Sequence, residues 1–180
     1  ERIGDVRPGG YADADELLDD LAAIDESLRA NDAASIADAY VEPLIRKVDT
    51  FGFSLASLDL RDHQQNHTEA VGELLESQGV PYRGRDEAGR MEVLTEAILQ
   101  DDPVVDLADP GDVGETTARV CDRFEAFREW QREYGADAID TYCISMTEEP
   151  SHVLEVLFLA DQADVVSLPD YSGVDVVPLL

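Results

Sequence analysis

The polar residues that follow the first predicted strand form the densest group of side chains capable of chemistry in this sequence. They are Asp59, Arg61, Asp62, His63, Gln64, Gln65, Asn66 and His67. In parallel α/β folds, reactive side chains gather at the carboxyl ends of strands, where loops meet helix N-termini. Arg61 is expected at such a junction, where its guanidinium could bind a phosphate or a carboxylate through two parallel hydrogen bonds. The alternative for Arg61 is a structural ion pair with Asp59 or Asp62.

Two histidines of this group, His63 and His67, are four residues apart, the spacing of two metal ligands on one helical face. The sequence offers no third ligand that can be assigned to them, and we favour solvated or helix-capping histidines. His152 is expected at the surface beside Glu148 and Glu149. The sequence lacks the Gly-x-Ser-x-Gly motif of a serine hydrolase and the Gly-Lys-Ser/Thr signature of a phosphate-binding loop, so neither chemistry is indicated.

The periodicity of apolar residues predicts the elements that must position these side chains. Spacings of three and four residues predict helices over 13–30, 35–49, 65–78, 87–100, 112–134 and 150–163. Alternating or uninterrupted apolar residues predict strands over 53–60, 138–146 and 174–180, and a short strand or loop over 164–168. Strands alternating with helices indicate a helix-rich α/β fold with parallel strands, too few for a closed barrel.

Two details of the predicted helices bear on packing. The second helix places one apolar face at Ile36, Tyr40, Leu44 and Val48, and Pro43 within it is expected to kink it. The helix over 112–134 is predicted to begin with a capping box, because Asp112 is followed three residues later by Glu115.

Acidic residues dominate the charge. The sequence has 41 aspartates and glutamates against 13 lysines and arginines, a formal net charge of −28, and its only lysine is Lys47. The acids are dispersed along the chain, so a folded protein with a carboxylate-covered surface is indicated rather than a disordered tail. Self-repulsion would destabilise such a protein in dilute buffer, whereas molar salt shortens the screening length to about 3 Å. We therefore expect halophilic adaptation, and no nucleic acid partner, because phosphate binding needs a basic surface.

Other features of the sequence lead to expectations about cellular location, the state of the cysteines and whether the chain is part of a longer protein. No apolar run approaches the ~20 residues that span a bilayer, and the first residues lack a secretory signal, so a cytoplasmic protein without a membrane partner is predicted. Cys121 and Cys143 lack metal-ligand spacing and are expected to be small core residues without a disulfide. The chain starts without methionine and stops inside an apolar strand, and we therefore expect a piece of a longer protein.

Three segments of the sequence resemble the phosphoenolpyruvate carboxylase family. The first is Phe51-Gly52-x-x-Leu55-x-x-x-Asp59-x-Arg61, followed by His67-Thr68. The second is Tyr142-Cys143-Ile144-Ser145-Met146-Thr147 with Pro150-Ser151, and the third is Val177-Pro178-Leu179-Leu180. They occur in the family's order and cover roughly residue 48 to the end. Asp62-His63-Gln64 stands where the family has Gln-Glu-Ser, so the roles of Asp62, His63 and His67 stay open.

The resemblance implies a partial parallel α/β barrel over residues 49–180, with a few barrel strands and long helices, after an N-terminal helical segment over residues 1–48. It implies a carbon–carbon lyase that combines phosphoenolpyruvate with bicarbonate, using Mg²⁺ or Mn²⁺, to give oxaloacetate and phosphate. Arg61 matches a family arginine that binds the phosphate of the substrate or intermediate, and Ser145 and Met146 match positions expected to be structural.

The resemblance also implies that several functional segments of the family are absent from these 180 residues. The family's Thr-Ala-His-Pro-Thr-Glu segment, its His-Gly-Arg-Gly-Gly loop and its metal-binding acids fall outside them. The fragment is therefore expected to be inactive and to hold no metal in the family's manner, while the parent enzyme is expected to be a homotetramer. Two other interpretations remain open: an acidic helical domain that contacts a basic partner, and part of another α/β-barrel enzyme in which Arg61 binds an anionic substrate.

Overall fold

The computed structural model describes residues 10–11, 13–53, 56–100 and 102–180, with the backbone alone at residue 137. The described chain divides into two compact units, one that ends at Ser57 and one that runs from Leu58 to Leu180. No helix among these residues is both long enough and apolar enough to cross a membrane.

The first unit is helical. Helix α1 (Ala14–Ala30) begins where predicted, because the Asp13 side chain accepts a hydrogen bond of 2.9 Å from the Glu16 N–H and so caps the helix. Helix α2 (Ala34–Ile36) continues into one π-helical segment (Ala37–Val41) and then into helix α3 (Glu42–Phe51). The second predicted helix is therefore present, but it is interrupted near its middle.

The π-helical segment changes which residues of the second helix are buried. Val48 is buried as expected, but the other three residues of the predicted apolar face are exposed: Ile36, Tyr40 and Leu44. Ala37 and Val41 are buried instead. Pro43, in the first turn of α3, has no N–H to donate and its ring would clash with the carbonyl four residues earlier. The wider π-helical turn before Pro43 accommodates the proline. It also rotates the preceding side chains about the helix axis, so the residues that face the core are not those expected of a regular α-helix.

The second unit contains the sheet and its covering helices. Strand β1 (Asp59–His63) is followed by helices α4 (Gln64–Ser77), α5 (Glu87–Ile98) and α6 (Glu115–Tyr134). Then come strand β2 (Thr141–Ser145), helix α7 (Ser151–Gln162), the hairpin of β3 (Val166–Ser167) with β4 (Tyr171–Ser172), and strand β5 (Asp175–Leu179). The helices predicted over 65–78, 87–100 and 150–163 are confirmed to within two residues.

Three of the strands form one parallel sheet in the order β1–β2–β5. The prediction of a helix-rich α/β fold with parallel strands is thus confirmed. In the described part of the chain the sheet is open, and no barrel closes. Arg61 of β1 is in register with Cys143 of β2, which is in register with Val177 of β5. The C-terminal ends of the strands lie at His63, Ser145 and Leu179.

Helices cover one face of this sheet, and the core lies between the sheet and the helices. Tyr142 and Ile144 of β2 are fully buried on that side, and the Tyr142 ring stacks on Phe124 of α6 at a centroid distance of 5.3 Å. Phe127 of α6 and Leu159 of α7 are also fully buried in this core. Burying each such side chain stabilises the fold by about 1.5–3 kcal/mol. Apolar burial therefore stabilises the packing of the helices on this face of the sheet.

The first and second strands are shorter than predicted. Ser54 and Leu55 of the segment 53–60 lie outside the described residues, residues 56–58 have no regular structure, and β1 begins only at Asp59. Its partner explains this start, because β2 begins only at Thr141, after a 3-10 turn (Ala136–Ala138) and two residues that lie outside the strand. Met146 has a φ of 60° and ends β2, since that conformation cannot continue a strand.

The predicted capping box of α6 is wrong. The helix begins at Glu115, with Gly114 in the capping position and no cap from a side chain of the same segment. Glu73 of α4 takes this role, because its carboxylate accepts hydrogen bonds of 3.0 and 3.1 Å from the Gly114 N–H and a further bond from the Thr117 hydroxyl. Local sequence could not reveal this cap, since its acceptor lies about 40 residues away along the chain.

Candidate anion-binding site

Arg61 is the third residue of β1, two residues before the strand–helix junction at which it was predicted. Its side chain is exposed. Within the described residues it has no hydrogen bond and no ion pair, so neither Asp59 nor Asp62 binds it as the structural alternative required. The guanidinium therefore retains all of its donors for an external anion.

Arg61 projects from the face of the sheet opposite the helices, which we call the open face. Side chains alternate along a strand, and residues in register across parallel strands share a face. The open face therefore consists of Asp59, Arg61, His63, Thr141, Cys143, Ser145, Asp175, Val177 and Leu179. Arg61 is the only arginine or lysine of this set.

The carboxylate of Asp62, the next residue, lies on the helix-covered face. It accepts hydrogen bonds of 2.8 Å from the His63 N–H and 2.7 Å from Asn66 Nδ2, and it pairs with Nη1 of Arg123 on α6. Burial alone would raise the pKa of Asp62, but the two hydrogen bonds and the Arg123 cation outweigh it and hold that pKa below its ordinary value. Asp62 is thus an ionised anchor between β1, α4 and α6.

His63 and His67 have different surroundings and do not act as a pair. His63 caps α4, because its Nδ1 accepts a hydrogen bond of 3.1 Å from the Gln65 N–H. The prediction of a solvated or capping histidine is confirmed for His63 and wrong for His67. His67 is fully buried, with Nε2 2.8 Å from the Tyr142 hydroxyl oxygen, and burial lowers its pKa to about 4. Its imidazole is therefore neutral at pH 7.

Three further residues test the sequence predictions. His152 was expected at the surface but is buried, and its Nδ1 accepts a hydrogen bond of 3.3 Å from the Glu148 N–H. Cys121 is buried in the core as predicted. Cys143 is half-buried and lies on the open face beside Arg61, so its assignment to the core was wrong. Both thiols are free, as predicted.

Sequence reasoning missed two charged residues that the structure places at important contacts. Arg123 binds Asp62, and Glu155 on α7 is fully buried and accepts hydrogen bonds of 2.7 Å from the hydroxyls of Thr68 and Tyr82. Burial raises the pKa of Glu155, and the two hydrogen bonds oppose that effect. A signal was present for Glu155, because it interrupts an apolar stretch of its helix.

The described residues do not by themselves form a divalent metal site. Across them, no three histidine, cysteine, aspartate or glutamate side chains come close enough together to hold a metal ion. His63 and His67 illustrate why: Nδ1 of the first is used as a helix cap, and the second is buried against Tyr142. No chemical step can be assigned to a metal held by these residues.

The fold defines a helix-rich α/β protein with a parallel sheet, and the unpaired arginine on its open face can bind a phosphate or a carboxylate through two parallel hydrogen bonds. The particular family follows from comparison with known proteins. The family model for phosphoenolpyruvate carboxylase matches residues 5–180, and the chain belongs to this family. The interpretation as another kind of α/β-barrel enzyme is thereby excluded, and the resemblance of the three sequence segments is confirmed.

Individual relatives agree with this assignment. Proteins named phosphoenolpyruvate carboxylase are 36% identical over 173 residues in Chromobacterium violaceum and 32% identical over 173 residues in Roseiflexus castenholzii, covering 94% and 95% of this chain. A protein of that name from Burkholderia mallei is 37% identical over 157 residues, or 86% of this chain. The chain spans 19%, 18% and 16% of the lengths of these three relatives, about a fifth.

Proposed function

We propose that this chain is part of an enzyme that carboxylates phosphoenolpyruvate with bicarbonate to give oxaloacetate and phosphate. Its part in that reaction is to present Arg61 to the phosphate of the substrate or intermediate. The observation that carries the proposal is the exposed, unpaired guanidinium of Arg61 on the open face of a chain from the phosphoenolpyruvate carboxylase family.

The charges around Arg61 favour an anion at one end of the open face. Both substrates are anions, so a cation is needed to bring them together and to stabilise developing charge. Asp59 and Asp175 occupy the N-terminal end of the open face, in register with Thr141 between them. At the C-terminal end, α4 begins directly after His63, and the N-terminus of a helix carries partial positive charge. An anion bound by Arg61 is therefore expected to lie toward the start of α4.

The remaining properties come from the family resemblance. The parent enzyme is proposed to need Mg²⁺ or Mn²⁺, to be cytoplasmic and to assemble as a homotetramer, with no nucleic acid or membrane partner. Because the described residues do not form a metal site, we propose that the 180-residue chain neither forms oxaloacetate nor holds the metal in the family's manner.

Ligand titration tests the role of Arg61. Phosphoenolpyruvate and inorganic phosphate are titrated into the chain by calorimetry, and Arg61→Gln is compared with the wild type. Losing a hydrogen-bonded charged contact costs about 1.5–3 kcal/mol, so we expect affinity to fall by roughly 10- to 100-fold. Arg132→Gln is the matched control, since Arg132 is an exposed arginine of α6 whose closest ion pair is 3.9 Å long. Unchanged affinity in Arg61→Gln would remove the basis of the proposal.

A coupled assay tests the inactivity of the chain alone. Oxaloacetate is detected through its reduction by malate dehydrogenase, with bicarbonate, Mg²⁺ or Mn²⁺, and high salt present. We expect no rate above the enzyme-free blank. Measurable, Arg61-dependent formation of oxaloacetate would contradict this part of the proposal.

We also propose that the protein is adapted to high salt, on the basis of its net charge of −28 and its single lysine. Screening of carboxylate repulsion should raise the melting temperature steadily from dilute buffer into molar potassium chloride. Sucrose at matched osmolality is the control, because it favours compact states without screening charge. A melting temperature that follows sucrose as closely as salt would contradict the adaptation.

A further inference from the structure

Arg61 and Asp62 are neighbours of opposite charge, yet the structure keeps them apart. Alternation along β1 sends Arg61 to the open face and Asp62 to the helix-covered face. The Asp62 side chain is 12% exposed, so its charge is largely removed from water. A carboxylate at this depth is costly unless it is paired and hydrogen-bonded.

The cation that compensates Asp62 comes from α6. Nη1 of Arg123 binds Oδ2 of Asp62, and the Arg123 side chain is itself only 24% exposed. The same guanidinium faces the Tyr142 hydroxyl: burial raises the pKa of Tyr142 to about 12, and the Arg123 cation opposes that rise. Tyr142 in turn contacts His67. Arg123 is thus held between a carboxylate and a buried phenol.

Asp62 also determines how β1 ends. Its Oδ1 accepts hydrogen bonds from the His63 N–H and from Asn66 in the first turn of α4, and its main-chain oxygen accepts a bond of 3.1 Å from the Ser145 hydroxyl. In the three-stranded sheet β1 is an edge strand, paired with β2 alone. Only one edge of its C-terminal end is therefore held by a neighbouring strand, and the Asp62 contacts on the covered side are among those that fix this end.

We propose that Arg123 is a positioning residue that holds Asp62 on the helix-covered face and thereby leaves the Arg61 guanidinium free to bind an anion. Without Arg123, Asp62 retains only uncharged donors, and the nearest cation along the chain is Arg61. A twist of the strand end that exposes Asp62 would bring a carboxylate to Arg61, and this carboxylate would compete with the ligand. The inference rests on the proposed anion-binding role of Arg61.

The first test measures whether Arg61 is free, without any ligand. Phenylglyoxal, an arginine-selective dicarbonyl, modifies the folded chain, and the rate at Arg61 is followed by peptide mass spectrometry with Arg132 as internal reference. In Arg123→Met we expect the rate at Arg61 to fall about twofold to fivefold, the range for an exposed ion pair. The double variant Asp62→Asn with Arg123→Met should restore the wild-type rate, because the competing carboxylate is gone.

The rescue separates positioning from general loss of structure. A variant that merely damages packing would not recover when a second contact is removed. An unchanged rate in Arg123→Met, or a double variant as slow as the single one, overturns the inference. Circular dichroism and thermal melting confirm that each variant is folded. If Arg123→Met does not fold, Arg123→Leu replaces it, since leucine also removes both the cation and the donor to Asp62, and the same results are required.

The second test uses inorganic phosphate and distinguishes this inference from the proposed function. Affinity should fall about twofold to fivefold in Arg123→Met and return in the double variant. Arg61→Gln should weaken binding by roughly 10- to 100-fold in both backgrounds. If Arg61→Gln binds phosphate like the wild type, the proposed function fails and takes the inference with it. If Arg61→Gln loses binding but Arg123→Met does not weaken it, the proposed function stands and the positioning role of Arg123 is refuted.

Discussion

Replacing His67 with glutamine should remove a defined part of the acid sensitivity of this fold. The imidazole is fully buried, its Nε2 contacts the Tyr142 hydroxyl at 2.8 Å, and its Nδ1 has no hydrogen-bond partner in the described structure. Burial is the main cause that lowers the pKa of His67 from 6.5 to about 4, the nearby cation of Arg123 acts in the same direction, and Asp62 opposes both.

The sign and size of the effect follow from proton linkage. As the pH falls below about 6.5, the unfolded chain binds a proton at His67 that the folded chain does not accept until about pH 4. The stability contributed by the neutral, buried imidazole is thus fully present above pH 6.5 and is lost as the pH falls through this window. A shift of this size corresponds to about 3 kcal/mol over the whole window, and to about 2 kcal/mol between pH 8 and pH 5.

Urea unfolding at pH 8 and pH 5, at one fixed salt concentration, measures the effect. Between these two pH values the wild type loses the stability contributed by the neutral imidazole of His67 and also any stability lost through other titrating groups. His67→Gln loses only the latter. The stability difference between the two proteins should therefore change by about 2 kcal/mol between these pH values. Tyr142→Phe is the control, because it removes the hydroxyl partner of His67 but leaves a buried, titratable histidine. It should lower stability at both pH values and keep the acid-side loss.

Direct titration adds a second measurement. The imidazole proton signals of His67 in the folded chain should show no titration step near pH 6.5. If wild type and His67→Gln lose the same stability between pH 8 and pH 5, or if His67 titrates near pH 6.5 while the chain is folded, the burial argument is refuted.

Further predictions concern the helix cap, the buried glutamate and the two thiols. Glu73→Ala should lower the free energy of unfolding by about 1–2 kcal/mol, because the Gly114 N–H at the start of α6 loses its acceptor, and Glu73→Gln, which keeps an acceptor, should lose less in the same thermal melts. Burial raises the pKa of Glu155, so its carboxyl disfavours the folded state increasingly as the pH rises above the unfolded-state value. Glu155→Gln should therefore gain stability relative to wild type as the pH rises from 4.5 to 8 in urea titrations, and a constant difference would contradict this. In the native chain a thiol reagent should modify the half-buried Cys143 and leave Cys121 unreacted until unfolding, since burial raises the pKa of Cys121 to about 11; equal native rates would contradict the assigned positions.

Much of the fold could be predicted because its helices carry local signals. Asp13 before α1 caps its helix as expected, and the apolar spacings predicted α4, α5 and α7 to within two residues. Strand limits were harder, because β1 has no boundary of its own. It begins where β2 supplies a partner, and that partner lies about 80 residues further along the chain. The π-helical segment before α3 was also missed, since the response of the backbone to Pro43 depends on which residues can be buried.

The candidate site, like the fold, could be predicted from the sequence only in part. Residue types and spacing were enough to single out Arg61, and the family resemblance supplied a reason to expect an anion there. The ion-pair partner of Asp62 is Arg123, which lies 61 residues away along the chain and carries no local motif, so the sequence could not show that Arg61 is unpaired. The sequence by itself thus determined the family and the order of the main helices and strands, and it singled out Arg61 as the candidate cation. Only the tertiary structure decided which charges are paired and which histidine is buried, because those outcomes depend on contacts between α4, α6 and β2 that form when distant segments pack together.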